Sequence, residues 1–287
     1  MTPTNLENVI IPRHKAALKR SELSLPMAAT IDAGILQRQH THLDYGCGRG
    51  DDVRFLRAMG FRSRGYDPYH FPRTPKRAVD VVTLLYVLST IEIPAVRCEA
   101  LISAYQLTRQ TLVVSAITGR STNHAGIAYN DGVITKWGTF EKCYSHTELK
   151  NLIEDTLGVP ARYLTHNTYT VSQNSKALPL IIHSSDRHYL KQCCSLLHSQ
   201  QQELKSGWIP PTDAIIEKHS SIQKGKRYYY FRLKSRSRSF NGKLTMHLGT
   251  AQNEAYLDAV RAMERRDLLR INQRRLLRIE AIINGMS

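Results

Sequence analysis

The chain has 287 residues, 40 Lys and Arg against 24 Asp and Glu, a formal net charge of +16 and five cysteines. That length holds one sizeable core plus a second module, and the positive excess favours an anionic partner such as nucleic acid. It contains no run of 18 apolar residues and no apolar leader core after Met1-Thr2-Pro3-Thr4-Asn5, which predicts a cytoplasmic protein with no membrane contact; Cys47, Cys98, Cys143, Cys193 and Cys194 lack zinc spacing, so no metal is expected.

In chain order, residues 1–30 read as a basic helical arm carrying Arg13, His14, Lys15, Lys19 and Arg20. A solvated basic face is the plain interpretation, and contact with a phosphate is the sharper one. Next, Leu43-Asp44-Tyr45-Gly46-Cys47-Gly48-Arg49-Gly50-Asp51-Asp52 sets three alternate glycines between a short apolar strand and a helix over Val53 to Met59. Glycine at every second position lets backbone turn sharply and approach a ligand where a Cβ would clash. Asp51 and Asp52 suit the helix macrodipole but repel a pyrophosphate, so the loop fits a ligand bearing an amine or sulfonium. The spacing is G-x-G-x-G, not the G-x-G-x-x-G of dinucleotide sites, and a Walker lysine pattern is absent.

Phe61 to Tyr66 predicts a second strand, ending in Asp67, an acid placed to take both hydroxyls of a ribose. Ala78 to Leu88 is a β-branched apolar run typical of a buried parallel strand, followed by a helix over Pro94 to Leu107 and another buried strand over Thr111 to Ile117. Strands alternating with helices mean an α/β sheet domain. Tyr86 is a candidate for stacking on a flat acceptor, or a half-buried core tyrosine. The long connection Thr118 to Lys142, with Asn123, His124, Trp137 and four glycines, reads either as a lid over the crevice or, from Asn130-Asp131-Gly132, as a surface hairpin.

Residues 175–287 hold 20 Lys and Arg against 9 Asp and Glu, whereas residues 1–174 hold 20 against 15, so the basic excess is concentrated in the C-terminal part. There, a helix over Ser184 to Leu204 precedes a strand in which Lys224, Lys226, Arg227, Arg232 and Lys234 are interleaved with Tyr228, Tyr229, Tyr230 and Phe231. Cations offer phosphate contacts and aromatics offer stacking surfaces for bases. A long helix from about Asn253 to Ile283 carries Arg266, Arg270, Arg274 and Arg278 every fourth residue, a stripe rising ~6 Å per step. The stripe is either a solvated face or a track for a phosphate backbone; with few acids nearby, nucleic acid is the favoured expectation.

The D-x-G-x-G-x-G loop with its later acid resembles motifs I and II of the class I S-adenosylmethionine-dependent methyltransferases. The wider set is similar to the methyltransferases associated with bacterial DNA phosphorothioation systems over about residues 10–172: Arg13 to Ser24, the glycine loop, Asp80-Val81-Val82 with Tyr86-Val87-Leu88, and Asp131 to Lys142. The resemblance implies a Rossmann-like cofactor-binding domain over 31–174 and a basic, largely helical nucleic-acid-binding module over 175–287. It implies S-adenosylmethionine along Gly46, Cys47, Gly48 and Gly50, its ribose on Asp67, its methionine end near Asp44, Leu85 and Tyr86. Tyr86, His14 and Lys15 are the candidate catalytic groups. The sequence departs from the family between Asp67 and Asp80, where Pro68, Pro72 and Pro75 stand in place of the strand and acid that contact adenine. Asp67-Pro68-Tyr69 resembles half of an amino-methylation motif but lies after the wrong strand, so ribose binding followed by a turn is preferred. The function implied is methyl transfer to DNA or RNA, with protein partners in a bacterial DNA modification or defence system; the alternatives are a non-catalytic component binding cofactor and nucleic acid, and a small-molecule methyltransferase.

Overall fold

The computed structural model describes residues 11–119, 126–223 and 226–286; Asn123, His124 and Lys224 lie outside them. The chain divides into two compact units, Met1–Ser185 and Asp186–Ser287, whereas the sequence reading drew its boundary at 174/175.

In the first unit, β1 (Thr41–Tyr45), β2 (Arg62–Tyr66), β3 (Val79–Leu85), β4 (Thr108–Ser115), β8 (Arg162–Thr165) and β9 (Thr168–Ser172) form one sheet in the order β2-β1-β3-β4-β9-β8. The first four strands are parallel and β9 is antiparallel to β4. The apolar run of β3 is buried on both faces because helices cover the sheet, and Leu43, Val82, Leu84, Leu112 and Val114 are fully buried. Each such side chain contributes roughly 1.5–3 kcal/mol. Strand order reverses between β1 and β3, so the crevice for a ligand opens at their carboxyl ends.

The helices are α1 (Leu25–Asp32), α2 (Asp51–Ala58), α3 (Pro94–Gln106) and α4 (His146–Leu157). In α2, Val53 and Leu56 are buried while Arg54 is exposed, the spacing of an amphipathic helix. Ser145 caps α4 by accepting from the Glu148 N–H, and Gly158 ends it in the left-handed conformation.

One expectation changes here, and one of two alternatives is met. The N-terminal arm is not one helix: a short 3-10 turn, Arg13–Ala16, leads into irregular chain, and α1 starts with Pro26 in its first turn. The backbone N–H groups of Arg20 and Ser24 bond to carboxylates elsewhere in the unit, so they cannot also build a helix. The proposed lid is a small antiparallel sheet, β5 (Ile127–Tyr129), β6 (Gly132–Ile134) and β7 (Phe140–Glu141), turning at Asn130-Asp131 with Asn130 at φ 49°. Ion pairs tie it to neighbouring elements. Arg97, 2% exposed, donates two bonds to the Asp131 carboxylate at 2.6 and 2.7 Å, and Lys142 pairs with both Asp131 and Glu148.

The second unit runs α5 (Arg187–Lys205), β10 (Ile215–Gln223), β11 (Lys226–Lys234), β12 (Thr245–Gly249) and α6 (Glu254–Gly285), with the three strands in one antiparallel sheet. Leu233, Leu248, Phe240, Ala214 and Ala259 form its core with Phe231 and Tyr256 at the edge. Among the described residues, no helix is long and apolar enough to cross a membrane.

Candidate functional site

At the reversal point of the sheet the chain leaves β1 through Gly46, Gly48 and Gly50, at φ 84°, 52° and 77°. A side chain is strained at each. A Cβ at Gly46 would also stand 2.3 Å from Val87 Cγ2, one at Gly48 3.0 Å from Ala17 Cβ, and one at Gly50 3.0 Å from Phe71 Cε2. The loop is tied to β2 by the Gly46 and Cys47 N–H groups, which donate to the Tyr66 carbonyl at 2.7 and 3.0 Å.

Asp67 stands where β2 ends. Its Oδ1 accepts from the Tyr69 and His70 N–H groups at 2.9 Å each, and its Oδ2 accepts from the Gly48 N–H at 3.2 Å. A carboxylate has about four acceptor positions, so Asp67 is locked against the glycine loop with capacity left for a ligand hydroxyl. Glycine loop and ribose-binding acid, predicted separately, are thus brought into contact.

Asp44 sits deeper. It is 4% exposed and accepts from Thr83 Oγ1 at 2.7 Å. Burial, with Asp52 and Asp67 adding negative charge, pushes its carboxyl up to about 7. Thr83 Oγ1 is also 3.1 Å from His42 Nε2, and His42 Nδ1 is 2.8 Å from Ser63 Oγ. Burial pulls His42 down to about 3, so its ring is neutral. With Thr83 donating to Asp44, the chain runs from Ser63 through His42 Nδ1, then His42 Nε2–H to Thr83, then Thr83 to the carboxylate, each hydroxyl and ring nitrogen matched.

The N-terminal segment crosses this loop. Arg13 pairs with Glu92 at 2.6 Å, the His14 ring stacks on Tyr69 at 3.8 Å and 8°, and the Arg20 guanidinium lies over Tyr86 at 5.4 Å. The Arg20 N–H donates to Asp51 at 2.7 Å, while Ser24 donates through N–H and Oγ to Asp52 at 2.8 and 2.6 Å. Asp51 and Asp52 therefore anchor the segment at the start of α2. Sequence reasoning did not find Ala17 or Phe71 as parts of the site, and it named Arg20 only as a phosphate contact and Ser24 only within the motif stretch Arg13 to Ser24; an acidic pair facing an upstream basic stretch is the signal that could have joined them to the loop.

Other predicted residues are placed differently. Leu85 points into the core with Met27, Leu36, Leu56, Phe61, Val81 and Val113, leaving only its backbone for the crevice. Cys47 packs under the loop against Gly65, and burial pushes its thiol up, which makes it inert packing. Lys15 is exposed, and Tyr86 is half-buried at φ 63°.

The basic residues of the second unit fall into two groups. Arg232 and Lys234 are both paired with Glu217, at 2.9 and 2.8 Å, and Arg266 donates to the Pro211 and Ala214 carbonyls at 2.8 Å each. Arg266 thus closes the chain ahead of β10 and leaves the predicted stripe. Arg270 is exposed, Arg274 and Arg278 are half-buried, and Lys226 and Arg227 are exposed at the start of β11. On the strand face opposite Phe231 and Leu233, Tyr230, His219 and His247 form a triangle of rings with centroids 5.8, 5.9 and 6.1 Å apart, and Tyr228 is 43% exposed.

A family model described as a methyltransferase domain matches residues 13–156, half of the chain. Similar solved structures include the CcbJ methyltransferase of Streptomyces caelestis, at 13% identity and TM-score 0.36, covering 51% of this chain and 87% of that one. Another is the 1,6-didemethyltoxoflavin-N1-methyltransferase of Burkholderia thailandensis, with S-adenosylhomocysteine, at 14% identity and TM-score 0.39, covering 57% and 79%. A third is CalS10, an amino pentose methyltransferase of Micromonospora echinaspora bound to S-adenosylmethionine, at 14% identity and TM-score 0.37, covering 58% and 99%. A search of curated proteins finds no match.

Proposed function

The chain belongs to the methyltransferase-domain family, and on that premise we propose that it transfers a methyl group from S-adenosylmethionine to nucleic acid. The observation that carries the cofactor assignment is the bond between the Gly48 N–H and Asp67 at the reversal point of the sheet. It sets a glycine-rich loop beside a carboxylate with an acceptor position left, the arrangement that a ribose and a methionine chain require.

S-adenosylmethionine, when bound, supplies an activated methyl on sulfonium. The protein's part is to hold and orient. Gly46, Gly48 and Gly50 allow close backbone approach, and Asp67 has one acceptor position left for a ribose hydroxyl. Asp44, once ionised, offers negative charge to the ammonium of the methionine end. The segment from Arg13 to Ser24, fixed to Glu92, Asp51 and Asp52, keeps water from the loop.

Nucleic acid as the acceptor is supported by the charge of residues 175–287, 20 Lys and Arg against 9 Asp and Glu, and by the aromatic face of β11. A role beside a bacterial DNA phosphorothioation or defence system is supported by the motif resemblance over about residues 10–172. The coil between β2 and β3, which brings no third strand to the sheet edge, favours a second reading, a component that binds cofactor and polymer without catalysis.

Calorimetry with S-adenosylmethionine on the protein and on Asp67→Ala tests the site. We expect micromolar binding that weakens at least tenfold in the variant; equal affinity would remove Asp67 from the site. Radiolabelled methyl transfer to single- and double-stranded DNA and RNA then tests the acceptor, and incorporation into none of them by cofactor-bound protein would select the non-catalytic reading.

A further inference from the structure

A cavity of about 220 Å³ opens at the carboxyl ends of β3 and β4, walled by Leu25, Pro26, Ala116 and Ile117 and by the turn between β8 and β9. Tyr86 is its wall on the side of the glycine loop, since the next residue, Val87, is the one packed on Gly46. We propose that this cavity is the acceptor subsite and that it takes one neutral planar heterocycle bearing an N–H, the size of a single nucleobase. The proposal rests on the methyl-transfer reading above and adds to it the chemical class of the acceptor.

Four observations carry it. The first is size: the volume lies below the roughly 300–1,000 Å³ of pockets for drug-sized ligands, which limits the occupant to one ring system. The second is charge. Among the described residues no Lys, Arg, Asp or Glu lines the cavity, so an ammonium would enter without a counter-charge and a phosphate or carboxylate would have only the His166 ring to face.

The third is an unmet acceptor. Asn167 lines the cavity, is 2% exposed, and its Oδ1 has no hydrogen-bond partner among the described residues, while its Nδ2 donates to the Tyr144 carbonyl at 3.4 Å. Buried polar groups are nearly always satisfied; this oxygen has almost no accessible surface as placed, so a ligand N–H meets it once the Asn167 side chain turns toward the cavity. A site that offers such an acceptor rejects a ring lacking the donor. Close by, the Thr168 hydroxyl donates to Ser115 Oγ at 3.2 Å, leaving the Ser115 proton for a ring nitrogen or carbonyl.

The fourth is backbone strain. Four described non-glycine residues have positive φ, and three of them, Asn130, Asn241 and His166, are of the types that tolerate it, His166 in the tight turn between β8 and β9. The fourth, Tyr86 at 63°, lines this cavity. Strained backbone held by its surroundings concentrates at ligand sites. An unstacked nucleobase meets the size, neutrality and donor requirements together, which is how an enzyme acting on a base inside a polymer receives it.

The test uses the full chain, saturated with S-adenosylhomocysteine so that adenosine cannot occupy the cofactor site. It is titrated with adenosine, cytidine, guanosine and uridine, with N4,N4-dimethylcytidine as the donor-free control. A second arm uses single-stranded 12-mers of DNA or RNA carrying one 2-aminopurine, read by fluorescence. We expect at least one base to bind, free or within a polymer, with about a tenfold loss in Asn167→Leu and in Thr118→Trp. The exposed Thr118 lies at the cavity wall, so the second variant fills it without disturbing the core and covers the case in which Asn167→Leu does not fold. Binding only as nucleoside or only in a polymer identifies the source of the ring. Engagement of no base, or equal binding by both folded variants, overturns the proposal. If S-adenosylhomocysteine itself does not bind, the cofactor reading fails, and the cytidine titrations still decide the cavity.

Discussion

The two units use charge in opposite ways. In the first, charged groups are taken inside and given fixed partners: Asp52 on Ser24, Asp67 on the Gly48 N–H, Asp44 on Thr83, Arg97 on Asp131. In the second, the excess is of one sign, and Lys226, Arg227 and Arg270 are exposed. Buried, paired charge positions atoms to within ångströms and fails when one partner is lost; exposed charge of one sign makes a long-range field that degrades gradually and is screened by salt. Mutations should therefore act sharply in one unit and gradually in the other.

The sharpest case is Gly48→Arg. A side chain at φ 52°, with its Cβ 3.0 Å from Ala17, fills the loop, and we expect at least a hundredfold loss of S-adenosylmethionine affinity by calorimetry, with the circular dichroism of the fold retained. Unchanged affinity would mean that the loop is not the cofactor site.

Asp52→Ala comes next. It removes the acceptor of two bonds from Ser24, and hydrogen bonds to charged groups are worth about 1.5–3 kcal/mol each. We expect a loss of ~2–4 kcal/mol in urea unfolding and earlier proteolytic cleavage between Arg13 and Ser24. An unchanged cleavage pattern would show that the segment is held by other contacts.

The buried pair Asp44 and His42 gives a pH-dependent test. Asp44, raised from 3.8 to about 7, makes the fold less stable as pH rises across that interval. His42, lowered from 6.5 to about 3, makes it less stable as pH falls below 6.5. Between pH 4 and 6.5 the folded chain carries the proton on Asp44 and the unfolded chain carries it on His42. The two proton counts match, and this pair leaves stability level there. In His42→Asn only the Asp44 effect remains, so the urea midpoint should fall as pH rises from 4.5 to 7; a level profile in the variant would contradict the Asp44 assignment. The same carboxyl predicts tighter S-adenosylhomocysteine binding at pH 8 than at pH 6, because only its ionised form attracts the ammonium.

The smallest expected effects lie in the second unit. Arg270→Glu with Arg274→Glu and Arg278→Glu should weaken single-stranded nucleic-acid binding several-fold and flatten its dependence on salt. Arg266→Ala should instead lower stability without changing the salt slope, because its partners are the Pro211 and Ala214 carbonyls. If the two variants behave alike, the division between Arg266 and the other three arginines is wrong.

The sequence by itself determined the local pattern: the glycine loop, the buried strands, the acid closing β2, the hairpin at Asn130-Asp131 and the long C-terminal helix. These follow from backbone restrictions and short-range periodicity, which act between neighbours in the chain. Only the tertiary structure decided what each side chain faces. Arg266, Arg270, Arg274 and Arg278 recur every fourth residue and drift round the helix by only ~40° per step, yet Arg266 meets two carbonyls from far away in sequence. His42 and Asp44 are two residues apart, yet their linked proton depends on Thr83 and Ser63 arriving from β3 and β2. Asn167 reads as an ordinary turn residue until the sheet sets it beside Tyr86 and Ser115 in one cavity. Partner choice and desolvation are properties of surroundings assembled across the chain, and no local pattern of residues encodes them.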